Sequence, residues 1–409
     1  MIRLNNLANS VFAVNAAEFG GSQERADIVA CGRLLMAERA GRDMNRIHLL
    51  REEKEDYTCR IDDVKYNEIN DQLKRKMFLY CAKLAANQTG RTAPETYEDF
   101  LKQQRQYMND PTFLRTLAGV VTEIVTPVLP AVTSNALDYL CETVYTPIGQ
   151  TYAVQVESND VMIFEDDSHG AARSKPAQRL YSREIVLNPR PVTAKASQKW
   201  YQLLANNADL GRFFTAISAG LYNKIMVLWN AAMAAGAASS TFMPSGLSFA
   251  QYSTANFLSA VKKVKAVNNA YNSGVIAFGD IAALAKVLPS GVVNAATVNL
   301  DAALAHLLGA EYARSGYLTG YCGAQLMPVD QAILPGTQNT TVTEIFPTDV
   351  IYIASAGGYK PVYLAFEEGF PIDITLDPSE TADMSIDIIV TSCMEAKPTF
   401  ASKIAKISL

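Results

Sequence analysis

The residues able to do chemistry are few and scattered. Imidazole occurs only at His48, His169 and His306, each alone in its segment, with neither H-x-x-x-H nor H-x-H spacing. Six cysteines (Cys31, Cys59, Cys81, Cys141, Cys322 and Cys393) form no C-x-x-C pair. A zinc site draws its ligands from such short spacings, so none is expected, and the thiols read as reduced, mostly buried cysteines and not as a disulfide framework. There is no G-x-S-x-G elbow to expose a nucleophilic serine. Neither G-x-x-x-x-G-K-[ST] nor a G-x-G-x-x-G after a strand is present to cradle a phosphate. The pairs Asp166-Asp167 and Glu367-Glu368 carry the right groups for acid/base work or for holding a cation, but adjacent acids of this kind are ordinarily solvated turn residues. Lys262, Lys263 and Lys265 make a small basic spot that reads as a helix face. No catalytic residue, cofactor site or metal site is expected.

The elements that position these residues belong to a sizeable folded chain. With 409 residues, 49% hydrophobic and 19% charged, it has ample length for one large domain or two to three modest ones. A formal net charge of −5 and a pI near 5.4 supply no global attraction to nucleic acid. Asparagines interrupt the opening residues too often for a signal peptide, and no apolar run is long enough to span a membrane. The expected site of folding is the cytoplasm.

The chain is organised around the stretch 209–240. Leu210, Phe213, Phe214, Ile217, Leu221, Met226, Leu228 and Trp229 fall mostly at three-and-four spacing, which predicts one long amphipathic helix with Asp209 as its cap. Residues 1–110 hold a large share of the charge, mixed in sign, and almost no proline. Helices are expected at 22–40, at 66–88 (with Ile69, Leu73, Met77, Tyr80 and Leu84 on one face) and at 94–108. Short helices are expected near 114–125 and 134–142. Residues 150–197 then read as a long two-stranded hairpin with a polar tip at 165–178 and little apolar material to fold upon. Such a ribbon is marginal alone and suits an interaction arm. Beyond the long helix, 246–376 alternates helices (254–268, 281–288, 301–308) with strands and predicts an α/β or α+β core. Strands are expected at 384–390 and at the C-terminus.

The order of these parts resembles the major capsid proteins of tailed bacteriophages, with their Hong Kong 97-type fold. The resemblance covers about 110–409 and rests on R-L-Y-S-R-E-I-V-L-N-P-R-P-V-T-A, the long helix, P-V-D-Q-A-I-L-P-G, I-F-P-T-D-V-I-Y-I-A and I-D-I-I-V-T-S-C-M-E-A-K-P-T-F-A-S-K-I in that order. It implies an α+β fold with a charged helical N-terminal region at 1–110 (an arm or scaffold-like segment) and an N-arm leading into a peripheral domain at 111–149. An extended loop hairpin follows at 150–197 and a spine helix at 198–245. An axial domain then occupies 246–376, with terminal strands of the peripheral domain at 377–409. The implied function is an icosahedral shell around double-stranded DNA, a virion component assembled in the host bacterial cytoplasm as pentamers and hexamers, without a membrane. Implied partners are scaffolding, portal, protease and decoration proteins. Subunit contacts are expected from the loop residues Asp166, Asp167, Arg173 and Lys175 and from Arg179, Arg183 and Arg190 on the strands, where charge sets register and partner choice.

Some shells of this type are locked by a covalent bond between a lysine of the loop and an asparagine of the peripheral domain. Lys175 stands at the right place, but the last asparagine is Asn339, so no such cross-link is expected. An encapsulin-like nanocompartment around a protein cargo is the alternative within the same fold, separated by shell size and contents. An α/β enzyme is the alternative outside it, for which a pocket and turnover would have to speak.

Overall fold

The computed structural model describes residues 22–42, 63–125, 139–157, 182–204, 209–240, 242–268, 274–287, 312–329, 331–334, 336–337, 340–357, 360–367, 373–378, 385–400 and 402–409. In chain order the helices used below are α1 (Gln23–Arg42), α2 (Asp63–Thr89), α3 (Tyr97–Met108), α4 (Pro111–Val125), α5 (Trp200–Leu204), α6 (Leu210–Ala238), α7 (Thr254–Val267) and α8 (Ile281–Leu284). The strands are β1 (Cys141–Thr146), β2 (Tyr152–Glu157), β3 (Ser182–Leu187), β4 (Arg190–Lys199), β5 (Ser248–Phe249), β6 (Val275–Gly279), β7 (Gly320–Tyr321), β8 (Ala324–Pro328), β9 (Val350–Ser355), β10 (Val362–Glu367), β11 (Asp373–Pro378), β12 (Ser385–Pro398) and β13 (Ala405–Ser408). The chain has an α+β fold and divides into two compact units, with boundaries inside α6 after Tyr222 and inside β12 after Cys393.

The first unit takes 1–132, 190–222 and 367–393. Its helices begin and end where local chemistry allows. Gly90 takes φ +68°, the left-handed conformation that closes α2, and Arg91 N–H reaches back to the Ala86 carbonyl at 2.9 Å. Thr96 caps α3 by accepting Asp99 N–H at 3.2 Å, while its hydroxyl donates to the Asp99 carboxylate at 2.7 Å. The buried Asp110 opens α4 by accepting Thr112 N–H, and Arg91 approaches its other oxygen at 3.3 Å. Apolar faces then meet. Ile69, Leu73, Met77 and Tyr80 of α2 are buried as their spacing predicts, and α4 buries Phe113, Leu114, Leu117, Val120, Val121 and Ile124. Phe78, Phe100, Tyr107 and Phe113 form an aromatic cluster completed by Trp200, whose ring stands edge-on to Phe78 and Phe113 at centroid distances of 5.9 and 6.3 Å. Two strands, β4 and β11, pair with β12, and Lys195 meets Asp387 at 2.7 Å.

The second unit takes 133–189, 223–366 and 394–409. Its main sheet has the order β5-β13-β9-β6-β8-β7, parallel at β13–β5 and β6–β8 and antiparallel elsewhere. The central strands β6 and β9 are buried at every residue, which is why V-I-A-F-G and V-I-Y-I-A-S read as continuous apolar runs. Helix α7, capped by Ser253, lays Phe257, Ala260, Val261 and Val264 into the core. The later turns of α6 bury Ile225, Met226, Trp229 and Met233, with Trp229 stacked on Phe346 at 5.5 Å. A second, smaller patch of sheet in this unit pairs β1 with β10, and β10 with the end of β12.

Several expectations change. Cys141 and Glu142 belong to strand β1, not to a helix over 134–142. C-E-T-V-Y-T is rich in β-branched and aromatic residues and has β10 to pair with. Residues 150–197 do not make a single ribbon, because β3 stops at Leu187 and β4 pairs with β12 instead. Pro189 and Pro191, which lack the donors a continued ladder needs, stand at the change of partner. Helix α8 ends at Leu284, four residues short of 288, and β12 continues to Pro398 where a strand over 384–390 was expected. The expected helix at 301–308 lies outside the described residues.

The hairpin base as candidate functional site

The hairpin pairs β2 with β3 as a two-stranded sheet of its own, in the register Tyr152↔Leu187, Val154↔Ile185 and Val156↔Arg183. Directly opposite residues share a face, so these pairs form one side of the ribbon, and Ala153↔Val186 and Gln155↔Glu184 the other. On the first side Val154, Val156 and Leu187 are buried against Ala365, with Val144, Ile185 and Tyr363 packed around them. On the second side Ala153, Gln155, Glu184 and Val186 are exposed.

What lies under the ribbon follows from the alternation of β10 and the end of β12. Val362, Leu364, Phe366 and Met394 point one way and are buried in the unit's core. Tyr363 pairs with Lys397 and Ala365 with Glu395, so these four share the opposite face, the one the hairpin covers. Lys397 Nζ donates to the Val186 carbonyl at 2.7 Å. Glu395 Oε2 accepts Asn188 N–H at 2.5 Å, and the two side chains meet each other at 3.3 Å. Glu395 and Lys397 did not stand out in the sequence. The available signal was the pattern M-E-A-K-P, in which apolar and charged residues alternate with strand period.

Around this base large apolar side chains remain exposed: Tyr145, Ile148, Tyr152 and Val186. Gly149, at φ +71°, supplies the turn between β1 and β2. Of the residues expected to make subunit contacts, Asp166, Asp167, Arg173, Lys175 and Arg179 lie outside the described residues. Arg183 sits in β3 opposite Val156, and Arg190 opens β4 in the first unit with its side chain exposed.

The other candidate groups have ordinary employment. Lys263 donates to the Gly246 carbonyl at 2.9 Å and lies 5.2 Å from the Phe249 ring centre. Burial, reinforced by the Glu367 carboxylate, pushes the Cys393 thiol up to about 11; Glu368 lies outside the described residues. Among the described residues no group of three or more His, Cys, Asp or Glu side chains is placed to hold a metal ion, and no helix is long and apolar enough to cross a membrane.

No family model matches the sequence, and no curated protein matches it. The chain is similar to several solved structures. One is the capsid of the cyanophage P-SCSP1u, at 12% identity over 68% of this chain and 88% of that one, with a TM-score of 0.45. Another is the head of the Helicobacter pylori bacteriophage KHP40, at 10% identity over 68% and 90%, with a TM-score of 0.42. A third is the virus-like particle from Pyrococcus furiosus, at 11% identity over 68% and 95%, with a TM-score of 0.37.

Proposed function

We propose that this chain is a major capsid protein of the Hong Kong 97 type, a shell subunit of a tailed phage that assembles with copies of itself around double-stranded DNA. The observation that carries this reading is the hairpin. A two-stranded ribbon is marginal in water, and here one of its faces is covered by only a small apolar cluster while the other, with Ala153, Gln155, Glu184 and Val186, stays exposed. An element of that kind is stabilised when it lies on another copy. Heterologous contacts of one ribbon on the next subunit close into rings and shells.

In this reading Asp166, Asp167, Arg173, Lys175, Arg179, Arg183 and Arg190 supply the charges that select register and partner. Each exposed pair contributes about 0–1 kcal/mol, so cohesion comes from repetition and buried area. The net negative charge of the chain suits a container that does not grip its DNA. Residues 150–197 take the role of extended loop, 198–245 of spine helix and 246–376 of axial domain. The remaining segments, 111–149 and 377–409, belong to the peripheral domain. Residues 1–110 act as an arm or scaffold-like segment, and scaffolding and portal proteins complete assembly of the virion in the host cytoplasm.

The test is electron microscopy of the protein expressed alone, after gradient sedimentation. Uniform shells, tubes or rings of subunits are expected, with a diameter that separates a phage-sized shell from a small compartment. Absence of particles even when scaffolding and portal proteins are supplied would overturn the reading.

A further inference from the structure

Within the second unit, one feature of the hairpin base has a specificity that packing alone does not demand. The carbonyl of Val186 and the N–H of Asn188 belong to residues two apart, so they point to the same edge of the chain, on either side of the buried Leu187. An unpaired strand edge leaves such groups open to water or to another strand. Here each is taken by a side chain of opposite preference: the ammonium of Lys397 on the carbonyl at 2.7 Å, the carboxylate of Glu395 on the N–H at 2.5 Å. The two side chains are two residues apart on β12 and meet at 3.3 Å. Both are partly shielded, at 37% and 17% exposure, so water competes only in part for these charge-assisted bonds.

We propose that Glu395 and Lys397 form a polar clamp that fixes the direction in which the hairpin leaves the subunit. The inference rests on the shell reading for its consequence but not for its geometry. The apolar hold on the hairpin is small, with Val154, Val156 and Leu187 lying on Ala365. Rotation of the ribbon about that contact is opposed by two bonds at its exit, immediately before Pro189 and Pro191. A shell needs every subunit to present its hairpin at one angle, since heterologous contacts close only when the rotation between copies is constant. Glu395 and Lys397 are thus positioning residues for assembly. Both act through backbone groups, so the identities of Val186 and Asn188 matter little.

The clamp and a plain surface ion pair make opposite predictions for a charge exchange. In the double variant Glu395→Lys, Lys397→Glu the mutual ion pair survives, but an ammonium faces an N–H and a carboxylate faces a carbonyl. Hydrogen exchange of the unassembled subunit then reads the hairpin directly. Amides of 152–157 and 182–187 are expected to exchange about ten- to a hundredfold faster than in the parent, as loss of charge-assisted bonds requires, while those of 275–279 and 350–355 stay unchanged. Glu395→Gln with Lys397→Met should loosen the same amides, and Lys397→Arg, which keeps a cationic donor, should not. Parent-like hairpin exchange in the exchanged-charge variant would overturn the clamp. Electron microscopy of the assembled variants reads the consequence: tubes, open sheets or shells of mixed diameter are expected, and uniform parent-sized shells despite a loosened hairpin would overturn the steering role. Failure of the parent itself to assemble would count against the shell reading alone, because the exchange measurement needs no assembly.

Discussion

The hydroxyl of Tyr66 donates to the carboxylate of Asp209 at 2.7 Å, joining residues 143 apart in the chain at the start of α6. The same oxygen accepts Arg212 N–H at 3.1 Å, the bond of a helix cap, and Arg39 stands 3.5 Å from the other oxygen. Beside it Asn70 accepts Leu210 N–H at 3.1 Å. The close fit explains Gly211, where a Cβ would lie 2.9 Å from the Leu35 carbonyl oxygen. Helices α1 and α2 therefore supply the cap environment at the start of the long helix within the first unit.

Asp209→Ala removes the cap and leaves Tyr66 and Arg39 without this acceptor. The expected loss is about 1–3 kcal/mol, a cap plus a part-buried hydrogen bond. Denaturant unfolding of the subunit measures it. Asp209→Asn, which keeps an acceptor for Arg212 N–H, should lose less; equal losses would show that the cap contributes nothing.

Trp200 carries the second link between distant parts of the chain. It follows β4 directly and is fully buried, edge-on to Phe78 of α2 and Phe113 of α4, which stack in turn on Phe100 of α3. Trp200→Ala should cost about 3–5 kcal/mol, the range for deleting a large core aromatic, as measured by denaturant unfolding. Trp200→Phe should restore most of the stability. A loss below about 1 kcal/mol for the alanine variant would mean that the helices close their core without the segment after the hairpin.

These relationships separate what periodicity reveals from what it hides. The face of α2 was legible because Ile69, Leu73, Met77 and Tyr80 recur at helical spacing, although Leu84, at the same spacing, is only half-buried near the helix end. The long helix was legible for the same reason, to within two residues at either end. The partners of Asp209 and Trp200 were not, since a pattern shows which side of a helix is buried but not what covers it. Only the start of strand β12 is legible, because M-S-I-D-I-I-V is strongly apolar, whereas in M-E-A-K-P only Met394 and Ala396 mark the core face. For the candidate site, composition pointed to the hairpin, and the groups that hold its base come from some two hundred residues away.

Burial raises the thiol of Cys31 from about 9 to about 12, with Asp27 adding to the shift and Lys76 opposing it; Cys81 is raised as well, by burial. Only about one part in ten thousand of Cys31 is thiolate at pH 8, and the thiolate is the reactive form. Mass spectrometry of thiol-labelled peptides should find Cys31 and Cys81 protected in the native subunit and modified in denaturant, with the half-exposed Cys322 labelled before them. The linkage has a definite sign. The folded state holds the proton more tightly, so the contribution is complete below pH 9 and declines as pH rises from about 9 towards 12, by about 1.4 kcal/mol per pH unit for each thiol. The unfolding midpoint should fall less steeply over that window in Cys31→Ala than in the parent, and identical slopes would remove Cys31 from the alkaline loss.

Deleting residues 165–176 tests the hairpin at its other end. The bonds that hold the base, from Lys397 to Val186 and from Glu395 to Asn188, lie outside the deleted stretch, as do Val154, Val156 and Leu187 in the cluster beneath. The subunit should therefore stay folded, with an unfolding free energy within about 0.5 kcal/mol of the parent's, the range for changes away from buried groups. If Asp166, Asp167, Arg173 and Lys175 reach a neighbouring copy, the same deletion removes their contacts from every subunit at once. Small increments of 0–1 kcal/mol per pair, repeated around a shell, then decide whether it closes. Sedimentation and electron microscopy should find soluble subunits or small oligomers in place of closed particles. Normal shells from the deleted protein would show that assembly does not use the tip, and the exposed side of the hairpin base, with Ala153 and Val186, would become the surface to alter next.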